Sequence, residues 1–271
     1  MLLALLDAHP EGPGWARSWL TDTLRASLPG YGEDDREHTL RGWSVGAAWG
    51  NETLVQSRPL VRTNDIDPID DLLRTPASCV VAAFSVQSTG AGALVAPPAV
   101  KLSRFRRWLG VRVGQVLPQD LASHLRSSLP GFLSRHQVDR GDGELVFLTF
   151  LAQLHAAGGL RKTYSEPALI REALSATARA AEIDPPHNLV VSDGRTFAML
   201  HQAGSLVSFE PPPVDDAAPR FGVTPTGVPN RPTNLLLHTE HPPSDAPQHG
   251  GERVAEGVFT IDVRSPRSIE R

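Results

Sequence analysis

The chain opens on a continuous apolar run, Met1–Leu6, too short for a helix and stopped by Asp7 and Pro10, which predicts a buried strand. Helical spacing follows through Trp19, Leu20, Leu24 and Leu28, so Trp15–Leu28 is expected to be a helix closed by Pro29-Gly30. Asp34–His38 reads as a charged loop. GWSVGAAW (Gly42–Trp49), TLVQS (Thr53–Ser57) and CVVAAFSV (Cys79–Val86) are apolar or alternating runs between Gly-Asn, Pro and Asp-rich turns, and predict three strands. The small, Gly- and Pro-rich stretch Ser88–Pro98 predicts a loop, and Trp108–Val116 a further strand.

The pattern then changes period. Leu121–His136, Glu144–Ala157 and Glu166–Ile183 carry apolar residues three and four apart over several turns, so three amphipathic helices are expected. Alternation returns at Asn188–Val191, Thr196–His201, Leu206–Glu210, Asn234–Thr239 and Val258–Val263, with Ser192-Asp193-Gly194 as a tight hairpin turn. Long loops are expected at Pro211–Pro232 and His241–Glu252. Strands, then helices, then strands predict a single α+β domain over residues 1–271, two mostly antiparallel sheets with helices on their outer faces. The βαβ rhythm of a parallel nucleotide-binding sheet is missing.

Composition narrows the partners. A net charge of −4, from 26 basic and 30 acidic residues without any long like-charge block, excludes nucleic acid as the expected main partner, because phosphate recognition needs a concentrated basic surface. Lys101 and Lys162 are the only lysines, which leaves almost no candidate for amine chemistry and makes the positive charge guanidinium. The one cysteine, Cys79, lies in an apolar run and reads as a buried small hydrophobe of a reducing compartment. The apolar start lacks a basic flank and a cleavage site, and no run approaches the length of a membrane span. A cytoplasmic, membrane-free protein without a cofactor is expected.

Several segments taken in order resemble the class II glutamine amidotransferases, the N-terminal nucleophile hydrolases, in their small bacterial form. They are the opening strand Met1–Leu6, GWSVGAAW, CVVAAFSV, Val111-Arg112-Val113-Gly114, Gly141-Asp142-Gly143-Glu144 opening a helix, NLVVSDG, and the closing HTEHPP and VAEGVFTIDV. The resemblance implies a four-layer αββα sandwich. It also implies a chemistry: a terminal nucleophile whose own amine takes its proton, an oxyanion donor, an arginine for the substrate carboxylate and an aspartate for its ammonium.

Three of these functions are missing at the matching positions. The nucleophile position holds Leu2, the arginine position Ser85, and the side-chain amide of the Asn-Gly turn is replaced by Val113, before Gly114. An isobutyl group attacks nothing, and a hydroxyl does not replace a bidentate guanidinium. Self-cleavage would have only Gly204-Ser205 to act on, within the expected sheet. Asp142 stands at the ammonium position, although an aspartate opening a helix is also an N-cap or first-turn carboxylate, and capping is the preferred reading. The resemblance therefore implies a pseudoenzyme: a non-catalytic subunit, regulator or binding module whose partner is another subunit or a second copy. A small amino-acid-like ligand would meet Asp142 and Trp43.

Other constellations compete. Gly42-Trp43-Ser44-Val45-Gly46 matches a nucleophile elbow and makes Ser44 the candidate of an alternative hydrolase acting on γ-glutamyl or related amides, but an elbow needs a strand before it and a helix after it. His238, Glu240, His241 and His249 could suggest zinc, yet Pro242-Pro243 and the spacing favour scattered loop histidines. Asp65, Asp67, Asp70 and Asp71 lack the spacing of a calcium loop. No metal is expected. Arg104, Arg106 and Arg107 beside Trp108 read as a solvated strand edge, with docking of an anionic surface as the sharper alternative.

Overall fold

The structure is a computed structural model that describes residues 2–6, 38–49, 52–59, 77–88, 101–138, 141–181, 187–209, 234–239, 252–262 and 269–270. The first sheet is built from β1 (Leu2–Leu6), β2 (His38–Trp49), β3 (Glu52–Pro59), β4 (Cys79–Ser88), β9 (Ser205–Phe209), β10 (Asn234–Thr239) and β11 (Glu252–Arg253). The second holds β5 (Ser103–Phe105), β6 (Trp108–Val113), β7 (Asn188–Ser192), β8 (Thr196–His201), β12 (Gly257–Asp262) and β13 (Ile269–Glu270). Strand orders are β11-β9-β10-β1-β4-β2-β3 and β13-β12-β8-β7-β6-β5. Every described strand pairing is antiparallel.

β1 is the central strand of the first sheet. Leu2 pairs with His238 on one side and Ala83 on the other, Ala83 with Ser44, and Ser44 with Ser57. The row runs through Leu2 and Ser44, two of the positions singled out in the sequence.

The helices cover the outer face of the second sheet. α1 (Gln119–Ser128), the single turn α2 (Gly131–Ser134), α3 (Asp142–Ala156) and α4 (Pro167–Ala180) pack there, with Trp108, Leu189, Val191, Ala198 and Leu200 beneath them. α3 is the buried centre of this layer, which its nearly all-apolar stretch Leu145–Leu151 requires. It lies close because Gly110 has no side chain: a Cβ there would meet the Phe147 ring at 2.1 Å. A second apolar layer fills the space between the sheets, with Ala48, Cys79, Val81 and Ala83 on one side and Leu109, Val111, Val113, Met199 and Phe259 on the other. β6 is therefore buried on both faces, and its six residues show no polar alternation.

Most expected elements are present with shifted ends. The helix expected at Leu121–His136 is two pieces, because Leu129 precedes Pro130 and is held extended at ψ 134°, as the proline ring demands. The strand expected to run to Val116 ends at Val113, and β5, β11 and β13 are additional. Three residues are too few to show a period, so β5 left no pattern to find. The hairpin turn after Ser192 is an Asx turn, with Asp193 Oδ1 accepting from the N–H groups of Arg195 and Thr196 and Gly194 at φ 82°. The expected helix at Trp15–Leu28, most of the loops around residues 34–38 and 88–98, and nearly all of 211–232 and 241–252 lie outside the described residues.

Candidate functional site

β6 carries one charged residue among five uncharged ones, and that residue organises the site. Period two places Arg112 with Trp108 and Gly110 on the helix side, while Leu109, Val111 and Val113 face the other sheet. Arg112 is 7% exposed. Its Nη2 donates to the Gln115 carbonyl at 2.6 Å, but its Nε has no hydrogen-bond partner. Burial lowers its pKa, an effect that the negative charge of Asp142 opposes.

A cleft of about 730 Å³ opens beside it. The N-terminus of α3, the loop from Gly114 to Val116 and the stretch Lys101–Arg104 form its walls. Asp142 is the first residue of α3, with Gly141 as the N-cap and no side-chain cap bond. Of the two helix-start roles expected, the N-cap falls to Gly141 and Asp142 is a first-turn carboxylate, whose Oδ2 accepts from the Leu117 N–H at 2.7 Å and ties α3 to the loop after β6. Glu144 Oε1 likewise accepts from the Val138 N–H.

His187, just before β7, packs behind this wall. A Cβ on Gly114 would lie 2.7 Å from the His187 Cβ and 3.4 Å from Arg112 Nη2, so the three residues converge, and Gly114 at φ 154° keeps that point open. His187 is 1% exposed and neither ring nitrogen has a partner. Burial, and then the charge of Arg112, push its pKa down to about 4, so the ring is neutral at physiological pH.

The other positions named from the sequence are not drawn into this cleft. Val113 contributes to the layer between the sheets. Trp43 is buried on β2 and lines neither this cleft nor the larger one described below. Ser85 lies on β4 opposite Gly42, and Leu2 at the start of β1 opposite Ala83 and His238. Ser44 is the clearest correction. It sits in the middle of the twelve-residue strand β2, fully buried, its hydroxyl accepting from the Leu102 N–H at 3.0 Å and sharing a 2.5 Å bond with Ser57. A strand continues on both sides of it, so the strand-turn-helix that exposes an elbow serine is absent there.

Arg112 and His187 were not among the residues expected to act. The signal was present: an arginine inside a strand whose neighbours read as buried on both faces has no polar face to occupy.

A larger cleft of about 850 Å³ lies around the β5–β6 turn, away from the positions that carry the sequence resemblance. It gathers Arg104, Arg106, Arg107, Arg161 and Lys162 against Glu52. Arg106 adopts φ 54° at the turn. Arg107 donates to the Lys162 carbonyl at 2.7 Å, lies 3.7 Å from the buried Asp193 carboxylate, and faces Tyr164, over which Arg195 also stacks. Lys162 pairs with Glu166 at 2.7 Å. Among the described residues no three His, Cys, Asp or Glu side chains come together as a metal site, and no helix is long and apolar enough to cross a membrane.

No protein-family description and no curated protein matches this sequence. Solved structures do. Glutamine phosphoribosylpyrophosphate amidotransferase from B. subtilis, complexed with ADP and GMP, superposes at a TM-score of 0.51 with 10% identity over 100% of this chain. The allosteric regulatory enzyme of purine biosynthesis does so at 0.50 with 11% identity, again over 100%. This chain spans about half of either, 48%. A glutamine aminotransferase class-II domain protein from Silicibacter pomeroyi aligns over 83% of this chain and 88% of its own, at 0.48 and 13% identity. The first two establish the fold: two antiparallel sheets with helices, the α+β arrangement of the N-terminal nucleophile amidotransferases.

Proposed function

We propose that this chain is a cytoplasmic, non-catalytic protein of amidotransferase fold that works as a subunit, regulator or binding module, and that its cleft receives a small amino-acid-like ligand. One observation carries the reading. The central strand that the resemblance makes the carrier of the nucleophile, Leu2–Leu6, is wholly aliphatic, and no thiol or hydroxyl of a described neighbour takes its place in the row. Ala83 lies on one side and His238 on the other, and the next hydroxyl, Ser44, is sealed under Leu102. The single thiol is no substitute: Cys79 is buried between the sheets, and burial pushes its pKa up to about 12, far from a reactive thiolate. Val113, in place of an amide, removes the side-chain oxyanion donor as well.

A glutaminase assay on the purified protein tests this. Glutamate release is expected at the level of buffer, for the natural chain and for Leu2→Cys, because the one substitution restores neither an anchoring arginine nor an amide at residue 113. Sustained turnover by either protein overturns the reading.

A further inference from the structure

We propose that the larger cleft, around the β5–β6 turn, binds an organic diphosphate, with Arg104, Arg106, Arg107 and Arg161 about the phosphates and Leu54 against the carbon chain. This cleft lies at the Trp108 end of β6, whereas Val113 and Gly114, which carry part of the resemblance, lie at the other end. It shares Arg104 alone with the smaller cleft, and the inference holds whether or not the chain turns over glutamine.

Charge comes first. Four guanidiniums and the Lys162 ammonium line the cleft against one carboxylate, Glu52, in a chain whose net charge is −4. Like charges gathered in one cleft repel, and a bound anion relieves that repulsion. Lys162 is answered by Glu166, and Arg107 lies 3.7 Å from the buried Asp193, but Arg104, Arg106 and Arg161 form no ion pair with a described residue. These three line the cleft and are exposed, so their charge is open to an occupant.

The cations are also held ready. Phe105 pairs with Trp108, which leaves Arg106 and Arg107 as the two residues of a tight hairpin turn. Arg106 takes φ 54°, a conformation that suits glycine, so the turn keeps an arginine at a position strained for it. Arg104 Nη1 donates to the Thr53 carbonyl at 3.0 Å, and the Thr53 hydroxyl donates to the Arg106 carbonyl at 2.8 Å. Arg107 Nη2 donates to the Lys162 carbonyl at 2.7 Å. These bonds tie the turn to β3 on one side and to residues 160–163 on the other, so an incoming anion finds two of its partners ordered and less side-chain entropy is lost on binding.

Shape and apolar surface choose the class of ligand. About 850 Å³ is an ordinary volume for a small-molecule site. Arg104, Arg106 and Arg107 crowd one hairpin, a density that two adjacent phosphate groups match, whereas the carboxylates of an acidic peptide are spread along its backbone. Leu54 is 42% exposed among these cations, and Trp108 and Leu160 add to the apolar lining. A bare inorganic anion leaves that surface wet, and a ligand with a carbon chain covers it.

The test uses the full chain. Isopentenyl diphosphate, inorganic pyrophosphate, inorganic phosphate and hexaglutamate are titrated by calorimetry. Isopentenyl diphosphate is expected to bind at least about tenfold more tightly than phosphate or hexaglutamate, because it engages several guanidiniums at once. It is also expected to bind severalfold more tightly than pyrophosphate, a margin that Leu54→Ser should erase. The double variant Arg106→Gln with Arg161→Gln is expected to weaken both diphosphates by about tenfold or more. In the natural protein, isopentenyl diphosphate should protect Arg106 and Arg161 from phenylglyoxal, as read by mass spectrometry, and this measurement decides should the double variant fail to fold. Phosphate or hexaglutamate binding as tightly as the diphosphates, a double variant that binds like the natural chain, a margin over pyrophosphate unchanged in Leu54→Ser, or no protection of either arginine overturns the proposal.

Discussion

The two clefts flanking β5 share Arg104 and little else. The larger is rich in cations: Arg107 donates to a carbonyl and lies 3.7 Å from Asp193, although its Nε and the Asp193 Oδ2 form no hydrogen bond, Lys162 has Glu166, and Arg104, Arg106 and Arg161 are exposed to water. The smaller holds fewer charges, but Arg112 and His187 are shut away from water with atoms that bond to no described residue. Buried polar atoms without a hydrogen bond occur beside both, Arg107 Nε and Asp193 Oδ2 at the first and Arg112 Nε at the second, so what separates them is exposure: most cations of the first are hydrated, whereas the second keeps its one buried guanidinium without an ion pair to a described residue.

The sharpest way to break this contrast is to disturb the seat of α3, which forms one wall of the smaller cleft. Gly110→Val places atoms inside the Phe147 ring's volume, and a loss of more than about 3 kcal/mol in denaturant unfolding is expected. A loss below about 1 kcal/mol would mean that α3 can lift, and that the cleft is not rigid. Next comes acidity. The folded-state pKa of His187 lies below its unfolded value, so the unfolded chain takes up the proton first, and stability present above pH 6.5 is lost as pH falls toward 4. The loss is of the order of 3 kcal/mol over that window. His187→Leu should remove most of the slope in melting temperature against pH, leaving the part due to His201, whose pKa burial also lowers. An unchanged slope would place the titration elsewhere.

Two smaller effects sharpen the comparison. Ser44→Ala takes away the acceptor beneath Leu102, in the wall of the smaller cleft, and should cost about 1 kcal/mol; a fluorophosphonate probe should leave the natural protein unlabelled at that residue. In the larger cleft Arg106→Gly should stabilise by about 0.5 to 1 kcal/mol, because φ 54° suits glycine better than arginine. A destabilisation there would show that the Arg106 side chain holds the turn, contrary to the picture of a solvated edge.

Much of the fold was legible in the sequence, and for a physical reason: long strands and helices bury one or both faces and write their period into the chain. Asn234–Thr239 and Thr196–His201 were read to the residue, and GWSVGAAW and CVVAAFSV stood out as strands although each continues further. Short pairings such as β5 and β13 escaped because two or three residues carry no period. The break at Leu129 was foreseeable from Pro130, but the apolar spacing through Leu121–His136 masked it. The site is a different matter. Leu2 and Val113 stand out only against what the resemblance implies, whereas Arg112 and His187 stand out through burial, a property of three-dimensional packing that no local pattern prints.

The place of β1 has a last consequence, for the order in which the molecule can assemble. Its five residues are flanked by β4 and by β10, so residue 2 rests against residue 238. Closing so long a loop forfeits chain entropy well before the contacts that reward it exist, which makes folding slow compared with a protein of local pairings. During synthesis β1 emerges before β10 and must wait for the chain between them before that neighbour arrives. A greasy five-residue segment left half-paired for that interval is the stretch most in need of a chaperone's shelter.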